Sequence, residues 1–146
     1  TLSRAESDDF VARIQGLIAE RGWGLWAVEV PGVSDFIGFV GLHVPKDYLP
    51  FSPCVEIGWR LAKSYWGKGY ASEAAKAALD YAFTELQLDE VLSFTSVTNL
   101  PSAAVMKRIG MTNTHRNFMH PDIEAGHPLC EHVLYRADRS EWARGD

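Results

Sequence analysis

The sequence predicts an α+β fold in which a helix and a β-meander precede alternating strands and helices. Apolar residues recur at helical spacing over residues 10–18 and again over residues 71–83. Between these runs, residues 24–61 contain β-rich segments separated by turn residues. No repeat or low-complexity linker divides the chain, so we expect residues 1–146 to form a single domain.

The first elements are a capped helix and a hairpin. Ser3 and Glu6 have the spacing of a capping box, and Gly22 follows the last apolar residue of the helical pattern. Residues 24–30 and 36–44 are rich in β-forming side chains and are joined by a loop containing Pro and Gly. An antiparallel pair of strands is therefore expected after the first helix.

A third strand is predicted at residues 55–61, where apolar side chains alternate and place Glu56 and Arg60 on the opposite face. This strand runs into the glycine turn of the segment SYWGKGYASEAA. The helix predicted after the turn continues to about residue 86, and its apolar face contains many alanines. Small side chains on that face would let the helix lie close to the sheet.

The second half of the chain repeats the strand and helix pattern. A strand is predicted at residues 91–95, followed by a helix that Asn99 can cap and that Gly110 ends. Residues 113–128 are predicted to form a long polar loop before a last strand at residues 132–136.

Composition excludes several classes of function. The net charge of −5 and pI near 5.5 leave no basic surplus for nucleic-acid binding, and a cationic partner such as an amine fits better. Cys54 and Cys130 are too few for a disulfide framework. No stretch has the length of a membrane helix or the order of a signal peptide, so a cytoplasmic protein is expected.

The glycine turn predicts an anion site, because backbone N–H groups at a helix N-terminus attract phosphate. Lys68 is followed by Gly69, which is incompatible with a P-loop. Gly67, Gly69 and Ser72 match the spacing of a dinucleotide fingerprint, but the preceding strands are antiparallel and the expected acidic residue is misplaced. Coenzyme A is the third ligand class that uses this device.

Three segments carry a resemblance to a known family: EIGWRLAKSYWGKGYASEAAKAALDYAF, SFTSVTNLPSAAVMKRIGM and GHPLCEHVLYRADRSEW. Together they resemble the GNAT superfamily of acetyl-CoA-dependent N-acetyltransferases, in particular the branch of ribosomal-protein N-terminal acetyltransferases. The resemblance implies a mixed, mostly antiparallel sheet with a splayed strand pair and helices on both faces. Ser64 replaces the family's long polar residue at the turn, and the family's first strand and helix have no counterpart, so we expect an N-terminally truncated domain.

The resemblance implies transfer of an acetyl group from acetyl-CoA directly to a primary amine in a ternary complex. The alternative is an acyl-CoA-binding or sensing domain of the same fold without turnover. The acceptor, a protein N-terminus or a small-molecule amine, and a possible homodimer are left open by the sequence. By resemblance the acetyl-CoA site comprises Trp59, Leu61, Trp66, Gly67, Lys68, Gly69, Tyr70, Ala71, Asn99 and Lys107.

Three residues are candidates for the chemistry. Glu56 is the candidate general base, and the alternative is a solvated glutamate or one paired with Arg60. The resemblance implies that Asn99 orients the cofactor and that Ser102 bonds the leaving sulfur, whereas a purely structural reading makes Asn99 a helix cap. Many relatives carry a tyrosine acid on this helix, and none occurs at residues 100–110.

A group of histidines raises the question of a metal site, and we expect none. Its spacing matches no standard zinc pattern, and a polar loop lining the acceptor site explains it more simply. The members are His115, His120, His127, Cys130 and His132.

Overall fold

The computed structural model describes residues 3–143 and confirms the α+β class. Seven strands form one sheet in the order β1-β2-β3-β4-β7-β5, and β6 also pairs with β7. Every pairing is antiparallel except that of β3 with β4. The elements are α1 Arg4–Arg21, β1 Leu25–Val30, β2 Ser34–His43, β3 Glu56–Leu61, α2 Tyr70–Thr84, β4 Glu90–Ser96, α3 Leu100–Arg108, β5 Thr112–Asn113, β6 Phe118–Met119, β7 Glu131–Asp138 and α4 Arg139–Ala143.

The predicted start of the chain is confirmed. The Ser3 hydroxyl accepts a hydrogen bond from the Glu6 backbone, and the Glu6 carboxylate accepts one from the Ser3 backbone. Gly22 ends α1 in the left-handed conformation, with φ of 85°. The rings of Phe10 and Phe39 lie 5.6 Å apart, so α1 lies on the sheet face to which Phe39 points.

The main core lies on the other face of the sheet, under α2 and α3. Ala75 and Ala82 of α2 are completely buried, which confirms that small side chains bring this helix close to the strands. Ile57 of β3 and Met106 of α3 belong to the same buried cluster. Helices therefore cover both faces, as the resemblance implies.

The splayed pair is β3 and β4. These parallel strands share a single paired position, Glu56 with Leu92, and residues 58–61 have no paired residue on β4 within the described chain. The Ser93 hydroxyl donates to the Ile57 carbonyl at 3.0 Å just before the strands separate. The opening faces the N-terminus of α3.

Two features differ from the sequence expectation. The region predicted as a long loop includes the last residue of β5 and the whole of β6, both pairing with β7. The chain also forms α4 after β7, where the Trp142 indole donates to the Asp80 carboxylate at 2.9 Å. Within residues 3–143, no helix has the length and apolar character needed to cross a membrane.

Candidate functional site

A cleft of about 380 Å³ opens where β3 leaves β4. Its walls are the end of β3, the glycine turn, the start of α2 and the exposed side of α3. The lining residues are Trp59, Arg60, Leu61, Tyr65, Trp66, Gly67, Gly69, Tyr70, Ala71, Ser72, Asn99, Pro101, Ser102, Ala104, Val105 and Arg108.

The glycine turn has a backbone conformation that residues with side chains rarely adopt. Gly67 and Gly69 have φ of 76° and 83°, in the left-handed region that glycine tolerates best. A Cβ at either position would meet no heavy atom of the described chain within 4 Å. The turn is therefore held in shape by its glycines and leaves room for a ligand to approach the main chain.

The turn ends at the N-terminus of α2, where Gly69 is the N-cap and supplies no side-chain acceptor. The first backbone N–H groups of the helix, from Tyr70 onward, consequently have no capping side chain. The Ser72 hydroxyl in this first turn is covered and has no hydrogen-bond partner within residues 3–143. These donors, at the positive end of the helix dipole, can bind an anionic group such as phosphate.

Hydrogen bonds fix both walls of the cleft. Trp66 donates from its indole Nε1 to the Leu61 carbonyl at 2.8 Å, which holds the turn against the end of β3. Trp59 donates from its Nε1 to the Ser102 hydroxyl at 3.2 Å, which joins β3 to α3. Asn99 caps α3 by accepting from the Ser102 backbone N–H at 3.3 Å.

Glu56 lies outside the cleft, on the sheet face opposite Ile57. Only 7 % of Glu56 is exposed, and its Oε1 lies 2.7 Å from Nε2 of His43, its cross-strand neighbour on β2. Burial raises the pKa of the Glu56 carboxyl, while the His43 hydrogen bond partly offsets this effect. The partner of Glu56 is therefore His43 and not Arg60, which is exposed and lines the cleft.

An aromatic cluster lies on the same face as Glu56. Phe94 and Phe118 contact each other at 5.6 Å between ring centres, and both pack near His120 and His132. Burial lowers the pKa of His132. Within residues 3–143, His120 and His132 are the members of the histidine-rich region whose rings contact each other, with centres 5.0 Å apart and planes tilted by 49°. No group of three or more metal-ligating side chains is placed to hold a metal ion among these residues.

The cleft brings together most of the predicted residues from separate elements. Lys68 does not line the cleft, although its Nζ lies 5.7 Å from the ring centre of Tyr65, which does. Lys107 does not line the cleft, whereas its neighbour Arg108 does. Of the predicted residues, the cleft contains Trp59, Leu61, Trp66, Gly67, Gly69, Tyr70, Ala71, Asn99 and Ser102.

Sequence reasoning missed Arg108 and His43. Helical periodicity could have indicated Arg108, because it lies four residues after Ala104 on one face of α3 and both line the cleft. His43 required the register of β2 against β3, which pairs it with Glu56. The hairpin pattern alone did not supply that register.

Comparisons with known proteins agree with this geometry. Residues 1–112 match a family model described as acetyltransferase (GNAT) domain. The chain is 36% identical over 135 residues to the FsC-acetyl coenzyme A-N(2)-transacetylase of Aspergillus fumigatus, covering 81% of this chain and 55% of that protein. It is 34% identical over 94 residues to the putative ribosomal N-acetyltransferase YdaF of Bacillus subtilis, covering 60% of this chain and 46% of that protein.

Structural similarity extends further along the chain. A GNAT-family acetyltransferase from Bacillus anthracis superposes with a TM-score of 0.77 at 27% identity, covering 96% of this chain and 77% of that one. The chain spans about half the length of the curated relatives it matches.

Proposed function

This chain belongs to the GNAT acetyltransferase family, as its sequence resemblance predicted, and we propose that it transfers an acetyl group from acetyl-CoA directly to a primary amine in a ternary complex. The observation that carries the proposal is the cleft between the diverging strands, which leads to the glycine turn at the start of α2. A long ligand with an anionic end and a reactive tip would fit an opening of this shape.

The residues present fit coenzyme A. The pyrophosphate would bind the backbone N–H groups from Gly67 to Ala71, where Gly67 and Gly69 leave open space; the Trp66 N–H already donates to the Lys63 carbonyl. Arg60 and Arg108 add positive charge to the cleft wall. The covered and unpartnered hydroxyl of Ser72 within residues 3–143 is a further donor for an anion at this helix end.

The pantetheine arm would lie along the end of β3. Residues 58–60 have no partner strand on the β4 side, so main-chain groups there can bind an amide-containing ligand, whereas the Leu61 carbonyl already accepts from the Trp66 indole. Asn99 and Ser102 stand beside this path at the start of α3. Asn99 would orient the arm, and the Ser102 hydroxyl would donate to the departing sulfur.

Direct transfer is favoured over a covalent enzyme intermediate. Neither Cys54 nor Cys130 lines the cleft among the described residues. Burial is the main cause that raises the pKa of Cys54 to about 11, which makes its thiol a poor nucleophile near neutral pH. The amine would therefore attack the thioester itself.

The acceptor amine must lose protons, because an α-amine has a reference pKa of about 8 and lysine one of about 10.4. Glu56 and His43 form a titratable pair on the face of β3 away from the buried core. This pair would receive a proton from the amine. The net charge of −5 also favours a cationic acceptor.

Two acceptor classes follow from the relatives. YdaF is named as a putative ribosomal N-acetyltransferase, which suggests a protein N-terminus. The Aspergillus relative is named as an N(2)-transacetylase, which suggests a small-molecule amine. A panel comprising an alanine-initiated peptide, a serine-initiated peptide, spermidine and an aminoglycoside samples both classes.

Calorimetric titration tests the cofactor first. We expect acetyl-CoA, but not NADH, to bind the purified chain. Gly67→Asp should abolish binding, because it places a negative charge in the glycine turn that is proposed to bind the pyrophosphate. Gly126→Asp is the matched control, because Gly126 also has a left-handed φ, of 88°, but lies outside the cleft. Binding of NADH that Gly67→Asp removes would instead support the dinucleotide alternative.

Thiol release then separates an enzyme from a binding domain. We expect release of free coenzyme A from acetyl-CoA only when an amine of the panel is present. Tight acetyl-CoA binding without release for any panel amine would support the silent sensing domain.

A further inference from the structure

One histidine ring nitrogen, on the sheet face that carries Glu56, has no hydrogen-bond partner among the described residues. His43 Nδ1 is covered and has no hydrogen-bond partner within residues 3–143. Leaving a buried polar atom unpaired costs about 1–3 kcal/mol, so such atoms are rare unless a ligand or a reaction uses them. The rest of the side chain is about one-third exposed, with a relative accessibility of 35%.

The hydrogen bond of the other ring nitrogen, Nε2, determines which nitrogen of His43 carries the proton. His43 Nε2 lies 2.7 Å from the Glu56 carboxylate, which can only accept a hydrogen bond when ionised. When Glu56 is ionised, Nε2 therefore carries the proton, and neutral His43 has a lone pair at Nδ1. A carboxylate that orients an imidazole in this way leaves its second nitrogen as a base.

The surroundings place this imidazole next to the point where the strands separate. Gly58 follows the last residues of β3 that contact β4, and β2 pairs His43 with Glu56 two residues before it. A Cβ at Gly58 would meet only one heavy atom of the described chain within 4 Å, namely His43 Cε1 at 3.8 Å. The absent side chain at Gly58 thus leaves a space beside the imidazole and beside the proposed path of the thioester.

We propose that His43 is the general base of the acetyl transfer and that Glu56 is the positioning residue that fixes its tautomer. This inference rests on the proposed function. It assigns the proton acceptor to Nδ1 of a residue on β2, and it gives the buried Glu56 carboxylate the role of orienting and stabilising the charged imidazole. Other titratable side chains near the pair are Cys54, in the loop before β3, and His120, just after β6.

The protons balance as follows. The bound ammonium gives one proton to His43 Nδ1, and the neutral amine nitrogen forms a bond to the thioester carbon as the C–S bond breaks. The remaining surplus proton on nitrogen passes through the Ser102 hydroxyl to the departing thiolate. His43 then releases its proton to solvent, so one amide, one free thiol and one proton are produced.

The tautomer can be observed without turnover. We expect nitrogen NMR of histidine-labelled, acetyl-CoA-bound protein to show His43 with a protonated Nε2 and an unprotonated Nδ1 at neutral pH. Glu56→Gln should remove this preference while leaving the exposed His115 and His127 unchanged. A neutral His43 protonated on Nδ1, or one that stays doubly protonated where the enzyme is active, would overturn the assignment.

Kinetics with the panel amine that gives the most thiol release supply the second test. His43→Gln keeps a donor for Glu56 but cannot accept the proton, so kcat should fall roughly 10²- to 10⁴-fold with little change in KM for acetyl-CoA. Lys76→Gln, which alters an exposed residue of α2 that does not line the cleft, is the control and should retain kcat. Glu56→Gln should lower kcat less than His43→Gln.

The two proposals fail in different ways. A wild-type chain that acetylates no amine of the panel overturns the proposed function itself. If the wild type is active and the His43→Gln variant is equally active, the assignment of His43 as the general base is overturned while the proposed function stands. Loss of activity in Glu56→Gln with full activity in His43→Gln would make Glu56 the direct base.

Discussion

Trp59 and Ser102 are joined by a hydrogen bond of 3.2 Å that spans the cleft between β3 and α3. An indole N–H can only donate, so the Ser102 oxygen is the acceptor and its own hydroxyl proton is directed elsewhere. The Ser102 backbone N–H is already bonded to Asn99. The hydroxyl proposed to protonate the leaving sulfur is therefore oriented by a residue of the opposite wall.

Removing the indole donor should impair catalysis through Ser102. We expect Trp59→Phe to lower kcat about tenfold, because one hydrogen bond contributes roughly 1–1.5 kcal/mol. Ser102→Ala should lower kcat further, and the double variant should be no worse than Ser102→Ala alone. Steady-state thiol release at saturating acetyl-CoA measures this double-mutant cycle.

The control for this cycle is Trp142→Phe, which removes an indole donor from an aromatic residue that contacts α2 instead of the cleft. It should leave kcat unchanged. If the fall in kcat of the double variant equals the product of the two single falls, Trp59 acts independently of Ser102.

Local sequence signals predicted the parts of the fold that local interactions determine. The capping box of Ser3 and Glu6 and the glycine at Gly22 define α1 through contacts within a few residues. The same holds for Asn99 at the start of α3 and Gly110 just after it. The helix α4 was not predicted, because its five residues lack a periodic apolar face and Trp142 is held by the distant Asp80.

The candidate site was only partly predictable for the same reason. The glycine turn lies within one short segment, and the structure places most of its residues in the cleft. The environment of Glu56 depends on strand register and on residues far along the chain, such as Phe94 and His120. Alternation assigned Glu56 to the face opposite the core but could not indicate that other elements bury it there.

Two adjacent basic residues at the end of α3 provide a matched test of the cleft. Arg108 lines it and Lys107 does not. We expect Arg108→Ala to weaken acetyl-CoA binding up to about tenfold, because it removes a charge-assisted contact to an anionic ligand. Lys107→Ala, with the same change in net charge, should have little effect.

Calorimetric Kd values at low and moderate salt measure this difference, and added salt should reduce the Arg108 effect because it screens charges. If both substitutions weaken acetyl-CoA binding equally, the net charge of the protein, and not a contact of Arg108 in the cleft, controls the affinity. A larger effect of Lys107→Ala would restore that residue to the cofactor site.

The thiol of Cys54 reports on the charge of Glu56. Burial, followed by the negative charges of Glu56 and Glu90, raises the pKa of Cys54 to about 11. In a Cys130→Ser background, alkylation near pH 8 should be on the order of 10²-fold slower than for free cysteine, which has a pKa of about 8.5. Glu56→Gln should accelerate alkylation by removing one charge.

Mass spectrometry after timed exposure to iodoacetamide follows this reaction at a single thiol. Glu90→Gln is the comparison variant and should accelerate it less, since Glu90 is the weaker of the two charge effects. A rate that is identical in the parent protein and in Glu56→Gln would show that the Glu56 carboxyl is uncharged at this pH.

The buried carboxyl of Glu56 should also make stability depend on pH. Burial raises the pKa of Glu56 above its ordinary value of 4.5. Below that value the carboxyl is protonated in both the folded and the unfolded chain, and its stabilising contribution is fully present. As pH rises from about 4.5 through the folded pKa, the unfolded chain ionises first, so the free energy of unfolding falls.

Glu56→Gln cannot ionise, so its free energy of unfolding should fall less than that of the parent protein over this range. Urea denaturation at a series of pH values measures the difference. Asp122 should have the opposite effect on stability, because hydrogen bonds from Lys46 and Tyr48 lower its pKa. Its stabilising contribution is lost as pH falls, so the free energy of unfolding of Asp122→Asn should fall less than that of the parent protein towards acid pH. If the parent and Glu56→Gln curves run parallel, the folded and unfolded chains bind the Glu56 proton equally, and the His43 hydrogen bond fully offsets the effect of burial on the Glu56 pKa.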